Sequence, residues 1–256
     1  DFMENGWDMK RMIKKIVMSA TYKQSSVISK DKLAVDPENK YLSRMSRLRF
    51  NAEMVRDHAL ATSGLLNPEI GGRSVKVYQP DGLWEAASSG RGVLANYVQD
   101  HGSNLYKRGI YIFIKRTTLP PVQLTFDAAT RDQCEVQRQS TMTPLQALIT
   151  LNDPTILESA RVFSEKLMQE ESTVAEKIEK AFGTIVCRTI KPEEKEMLLG
   201  YYNDQESAFM KETKQAEAFI NVGEFPASKD RDVVKVAALM QIIHTIYNLE
   251  ETIVKS

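Results

Sequence analysis

Two groups of charged side chains are the residues best suited to chemistry in this sequence. The first is Arg47, Arg49, Glu53, Arg56 and Asp57, with Arg49, Glu53 and Asp57 four apart and Arg56 three from Glu53. On a helix such residues are i,i+3 and i,i+4 neighbours. The face is either a solvated ladder of ion pairs, worth about a few tenths of a kcal/mol each, or a cleft wall whose guanidinium groups hold Glu53 and Asp57 ionised. The second group is Lys115, Arg116, Asp127, Arg131, Asp132, Cys134 and Arg138. An Arg grips a carboxylate, sulfate or phosphate through two parallel hydrogen bonds, and an aspartate binds sugar hydroxyls or moves a proton. The competing reading is an ion-pair network that ties neighbouring elements together, and both readings stay open.

Other signatures of chemistry are missing from the sequence. It has no P-loop, GxGxxG, HExxH or GxSxG. His58, His101 and His244 are scattered, and a satisfied structural histidine is the default for each. Cys134 and Cys187 form no CxxC pair and no CxxCH haem-attachment site, so neither bound haem nor a metal is expected in this chain. They read as two independent buried thiols, unpaired with each other. Cys134 sits among arginines, but no base stands beside it to make it a nucleophile.

The elements that must position these groups read as mainly α, a multi-helix domain with a small two-stranded β element near residues 110–126. Asp8 caps a helix whose apolar positions Met9, Met12, Ile13, Ile16 and Val17 alternate with Lys10, Arg11, Lys14 and Lys15. A second helix is expected over 41–66. Residues 67–108 form a long Gly/Pro-rich loop, with Leu83-Trp84-Glu85 as an anchor. The β-branched and aromatic run from Ile110 to Ile114 predicts a buried strand, with Val122 to Phe126 as its partner. Thr143-Pro144-Leu145-Gln146 and Asn152-Asp153-Pro154 both start helices, giving either one kinked helix or two in tandem. Further helices follow at about 174–187, 192–220 and 231–248, so 141–256 is all helical.

Composition sets the outer bounds. The 256 residues carry 34 Lys plus Arg against 34 Asp plus Glu, a net charge of zero, which argues against a nucleic-acid binder driven by bulk charge. With 42% hydrophobic and 27% charged residues the chain is of globular type. No apolar run reaches the ~18–20 residues of a spanning helix. One domain over 1–256 is expected. The opening Asp1-Phe2-Met3-Glu4, without an initiator Met, gives the expectation of a fragment with an upstream portion missing.

One string narrows the reading: Tyr106 to Thr117, then Thr125-Phe126-Asp127-Ala128, Arg131, Cys134, Arg138 and Asn152-Asp153-Pro154. With Gly6-Trp7-Asp8, Ser19 to Ser26, Asp36 to Asn39, Arg47 to Asp57, Gln79 to Glu85 and Thr143 to Leu148, it resembles domain of unknown function 1553 over nearly the whole chain. That family is the C-terminal module of planctomycete-type, cytochrome-c-associated exported proteins. The chain departs from the family pattern at Gly109, where an Arg or Ser is expected, and matches only loosely around Cys187 to Ile190. The resemblance implies a periplasmic or cell-surface location, a role in polysaccharide use, and upstream domains of the same chain as partners. Haem c belongs, on this reading, to a partner domain, with redox coupling through it. Two functions follow from the resemblance and the charges together. One is an enzyme-like module binding an oligosaccharide around Arg49, Glu53, Arg56, Asp57, Lys115, Arg116, Asp127, Arg131 and Arg138; the other is a non-catalytic docking or structural module. The family carries over no catalytic residue.

Overall fold

The computed structural model describes residues 1–87, 96–132 and 134–255. They divide into two compact units, Asp1–Arg49 with Ile253–Ser256, and Phe50–Thr252. The chain is mainly α, with eleven α-helices and a single two-stranded antiparallel sheet among the described residues.

In the first unit α1 spans Met9–Val17, where Asp8 accepts the Arg11 N–H as the cap. No residue of α1 is buried. Helix α2, Lys30–Val35, is capped by Ser29. Strand β1, Leu48–Arg49, pairs with β2, Val254–Lys255, in the register Leu48 with Lys255 and Arg49 with Val254. The helix expected from residue 41 does not start there. Buried Arg44 donates to the carbonyls of Asp36 and Pro37, and Asp36 accepts the N–H groups of Lys40 and Tyr41, so the chain is knotted into a loop instead.

In the second unit Asn51 accepts the Met54 N–H and opens α3, Ala52–Ser63, which Gly64 ends at φ +73°. The short α4, Leu83–Ala86, buries Trp84. Helices α5, Pro121–Thr125, α6, Pro144–Thr150, and α7, Pro154–Met168, each have proline at the first helical position, where its missing N–H costs nothing. The Asn152-Asp153-Pro154 segment therefore separates two helices. Then come α8, Val174–Val186, α9, Pro192–Lys211, α10, Thr213–Ile220, and α11, Val233–Tyr247. The single helix expected over 192–220 breaks at Glu212, which lets Ala216 and Ile220 turn onto α11. Helix α11 is apolar nearly all round and packs against α7, α8, α9 and α10, the centre of the core.

The two-stranded element expected at 110–126 is absent. Gly109–Tyr111 is a 3-10 turn, and the region holds isolated bridges in place of strands, a parallel one from Ile112 to Val75 and an antiparallel one between Lys115 and Thr118. The 122–126 stretch is helical because Pro120 and Pro121 start α5, with Phe126 N–H donating to the Val122 carbonyl. A Cβ at Gly109 would lie 2.7 Å from the Glu53 Cα, so this turn can press on α3 only with glycine there.

One polar cluster fastens loops to α7. Glu158, fully buried, accepts from the Tyr106 hydroxyl at 2.9 Å, the Tyr78 hydroxyl at 3.1 Å and the Phe225 N–H at 2.7 Å. Arg161 donates to the Val222 and Phe225 carbonyls and to Glu165, which also holds Arg231. Burial and the Glu158 charge raise the hydroxyl pKa values of Tyr78 and Tyr106, so both remain donors.

Candidate functional site

A cleft of about 530 Å³ lies in the second unit, where the first turns of α3, α5 and α7 approach one another. Helix α3 supplies Ala52, Val55 and Arg56; α5 supplies Pro121, Val122 and Gln123 after Pro120; α7 supplies Pro154, Thr155 and Ile156 after Asn152 and Asp153. Leu148 and Ile149 of α6, Ile112 and the stretch Val77 to Pro80 close it, with Gln99 at one side. Its wall is therefore mostly aliphatic and proline surface, with a few polar groups, the usual make-up of a small-molecule site.

Those polar groups are held by the surrounding elements. Asp153 caps α7, accepting the Thr155 and Ile156 N–H groups at 2.9 and 3.1 Å. Burial pushes its carboxyl above the usual aspartate range, and the Arg56 charge and the backbone donors oppose that rise. Burial lowers the Arg56 pKa, with Asp153 the leading charge that counters it. The guanidinium stays charged and is spent on structure, donating to the carbonyls of Leu105 and Lys107 and to the Thr155 hydroxyl at 3.1 Å. Tyr78 is fixed by Glu158, and Gln99 donates to Glu224 at 2.7 Å. In contrast, both amide atoms of Gln79 and the Oε1 of Gln123 are buried without a hydrogen-bond partner.

Of the residues singled out by charge, Arg56 alone lines this cleft. Glu53 and Arg138, 85 positions apart, do meet, at 2.8 Å. Asp57 accepts from Arg108 at 2.9 Å and from the Gly109 N–H at 2.6 Å, which tethers the glycine turn to α3. Asp127 accepts the Thr141 N–H and hydroxyl. Lys115 sits 4.4 Å over the Trp84 ring. Arg116 and Arg131 are exposed, and Arg49 lies on β1 in the first unit, not on a helix face with Glu53. Cys134 and Cys187 are free, and exposed rather than buried. His58 and His244 are half-buried or buried structural groups, their pKa values lowered by burial. Among the described residues no group of three or more His, Cys, Asp and Glu is placed to hold a metal ion, and no helix is long and apolar enough to cross a membrane.

Sequence reasoning from charge thus missed Gln79, Gln123, Asn152 and Asp153 as cleft residues. Gln79, Asn152 and Asp153 lie in the motif segments, and Gln123 lies in none: Arg47 to Asp57, Gln79-Pro80, Thr143 to Leu148 and Asn152-Asp153-Pro154 all contribute to this one cleft. The family model described as protein of unknown function (DUF1553) matches residues 1–202. The chain belongs to the DUF1553 family. Comparison of this DUF1553 chain with curated proteins and with solved structures finds no match.

Proposed function

We propose that the DUF1553 chain is a recognition module of an exported bacterial protein that takes part in polysaccharide use, with the cleft as its oligosaccharide site. The observation that carries this reading is the convergence of four separated motif segments, all within the range the family model matches, on a cleft with unspent hydrogen-bonding groups. Hydrogen bonding and shape are what this wall offers a ligand. Its placement in the periplasm or at the cell surface, and haem c in a neighbouring domain of the same protein, belong to the same proposal.

A glycan panel tests it by thermal shift and calorimetry, in the natural sequence and in Leu148→Trp. Leu148 is 56% exposed at the cleft edge, so the larger ring can occlude the mouth without disturbing the core. Ligand-dependent stabilisation that is lost in Leu148→Trp is expected. Equal stabilisation of both proteins would place the site elsewhere.

A second reading, a docking module, rests on α1. Met9, Ile13 and Ile16 are 62%, 54% and 53% exposed on one face of that helix, opposite Lys10, Arg11, Lys14 and Lys15. On this reading the apolar stripe meets another domain of the same protein.

A further inference from the structure

The cleft also constrains the chemistry of what enters it. We infer that its ligand is a neutral sugar carrying an acetamido group, an N-acetylated amino sugar unit of a glycan. This rests on the cleft being the recognition site.

Charge comes first. Among the described residues of the wall, the one guanidinium, Arg56, is consumed by two carbonyls and a hydroxyl, and the one carboxylate, Asp153, by the first N–H groups of α7. A sulfated or uronic sugar would bring a full charge to a wall whose described residues leave no cation to receive it, and the desolvation would go uncompensated. A neutral ligand meets no such barrier.

Hydrogen bonding comes second. Gln79 has an N–H donor and a carbonyl acceptor with no partner, and Gln123 a carbonyl acceptor with none. A buried amide left this way costs about 1–3 kcal/mol per group, which a ligand relieves by supplying the complement. Both residues line the cleft. A secondary amide matches a glutamine amide group for group, N–H to Oε1 and C=O to Nε2.

Apolar surface comes third. Pro120, Pro121, Val122 and Ile149 would leave a fully hydroxylated sugar with unsatisfied hydroxyls against them. An acetamido group puts a methyl where one of those hydroxyls would be. The cleft volume, about 530 Å³, falls in the range of sites for ligands of one or a few rings.

The test is calorimetric titration of the chain with three trisaccharides of matched linkage: one of N-acetylglucosamine, one of glucosamine, and one of glucose. A sulfated trisaccharide is the fourth probe. The N-acetylated probe is expected to bind at least tenfold tighter than the other three, and Gln79→Leu and Gln123→Leu are each expected to weaken it tenfold or more while melting no lower than the natural sequence. Equal binding of the glucose or glucosamine probe, still lost in the two variants, overturns the acetamido assignment and leaves the cleft as the site. Binding of the N-acetylated probe that neither variant changes overturns both. Preference for the sulfated probe, or no binding of the N-acetylated one at millimolar concentration, overturns the inference, while the Leu148→Trp comparison on the wider panel judges the cleft independently.

Discussion

The helical core around α11 and the wall of the cleft belong to the same unit and are built on opposite terms. In α11, Val236 to Met240 and Ile242, Ile243 and Ile246 are fully buried, and the buried polar groups are bonded: His244 donates to the Thr150 carbonyl at 3.2 Å and the Tyr247 hydroxyl meets that of Thr62 at 2.7 Å. The cleft wall is drawn from helix starts and loops, is rich in proline and carries amide groups with nothing to bond. A core minimises unsatisfied polar atoms because each one costs stability; a binding site keeps some in reserve because the ligand satisfies them. The difference teaches that the core sets the stability of this unit and, on the proposed function, the wall sets what it binds, with Glu158 as the joint between them.

The largest effect expected is in the core. Leu239→Ala removes a fully buried side chain from the centre of α11 and should lower stability by about 2–5 kcal/mol, measured by denaturant unfolding. Below the transition, glycan affinity should stay within twofold of the natural sequence. A matching loss of affinity in the folded variant would break the separation of the two regions.

Gly223→Ala probes the joint and should cost somewhat less, about 2–3 kcal/mol. The residue holds φ +77°, and an added Cβ would lie 2.1 Å from the Glu158 carboxyl carbon. Because Glu158 also holds Tyr78 in the cleft wall, this variant should lose both stability and glycan affinity. Loss of stability alone would show that the Glu158 cluster does not position the wall.

The smallest effect is a difference in pH dependence. Burial lowers the His244 pKa, so the unfolded chain takes up that proton first; the core's share of stability is complete above about pH 6.5 and falls as the pH drops through the lowered value. Burial raises the Asp153 pKa, so the folded state takes up that proton first; the cleft's share grows as the pH falls through the raised value. His244→Gln should therefore flatten the loss of stability below pH 6.5, and Asp153→Asn should steepen the loss at lower pH. Unfolding free energies across pH 4–8 check both signs, and identical profiles for the two variants would contradict the assignment.

Much of this fold was legible where a residue's local chemistry decides its structure. Asp8, Thr143-Pro144 and Asp153-Pro154 announce helix starts because capping oxygens and proline rings act within one turn. The start of α3 was not legible, since what prevents a helix before Ala52 is buried Arg44 bonding carbonyls seven and eight residues away. The apolar run at 110–114 reads as a strand by residue type, yet its conformation follows from Gly109 lying against Glu53. In the site, charged residues drew attention and proved mostly to be struts, as in the Glu53–Arg138 and Asp57–Arg108 pairs. Gln79 stands in a motif segment and Gln123 in none, but in neither case does the sequence show an amide without a partner; only the fold does.

Hydrogen–deuterium exchange of the chain, with and without a saturating N-acetylated oligosaccharide pool, tests the central claim most directly. Slowed exchange at 77–80, 120–126 and 148–156, with none added at 9–18, is the predicted result. Protection confined to 9–18, or to segments outside the cleft, would contradict the assignment of the cleft as the recognition site.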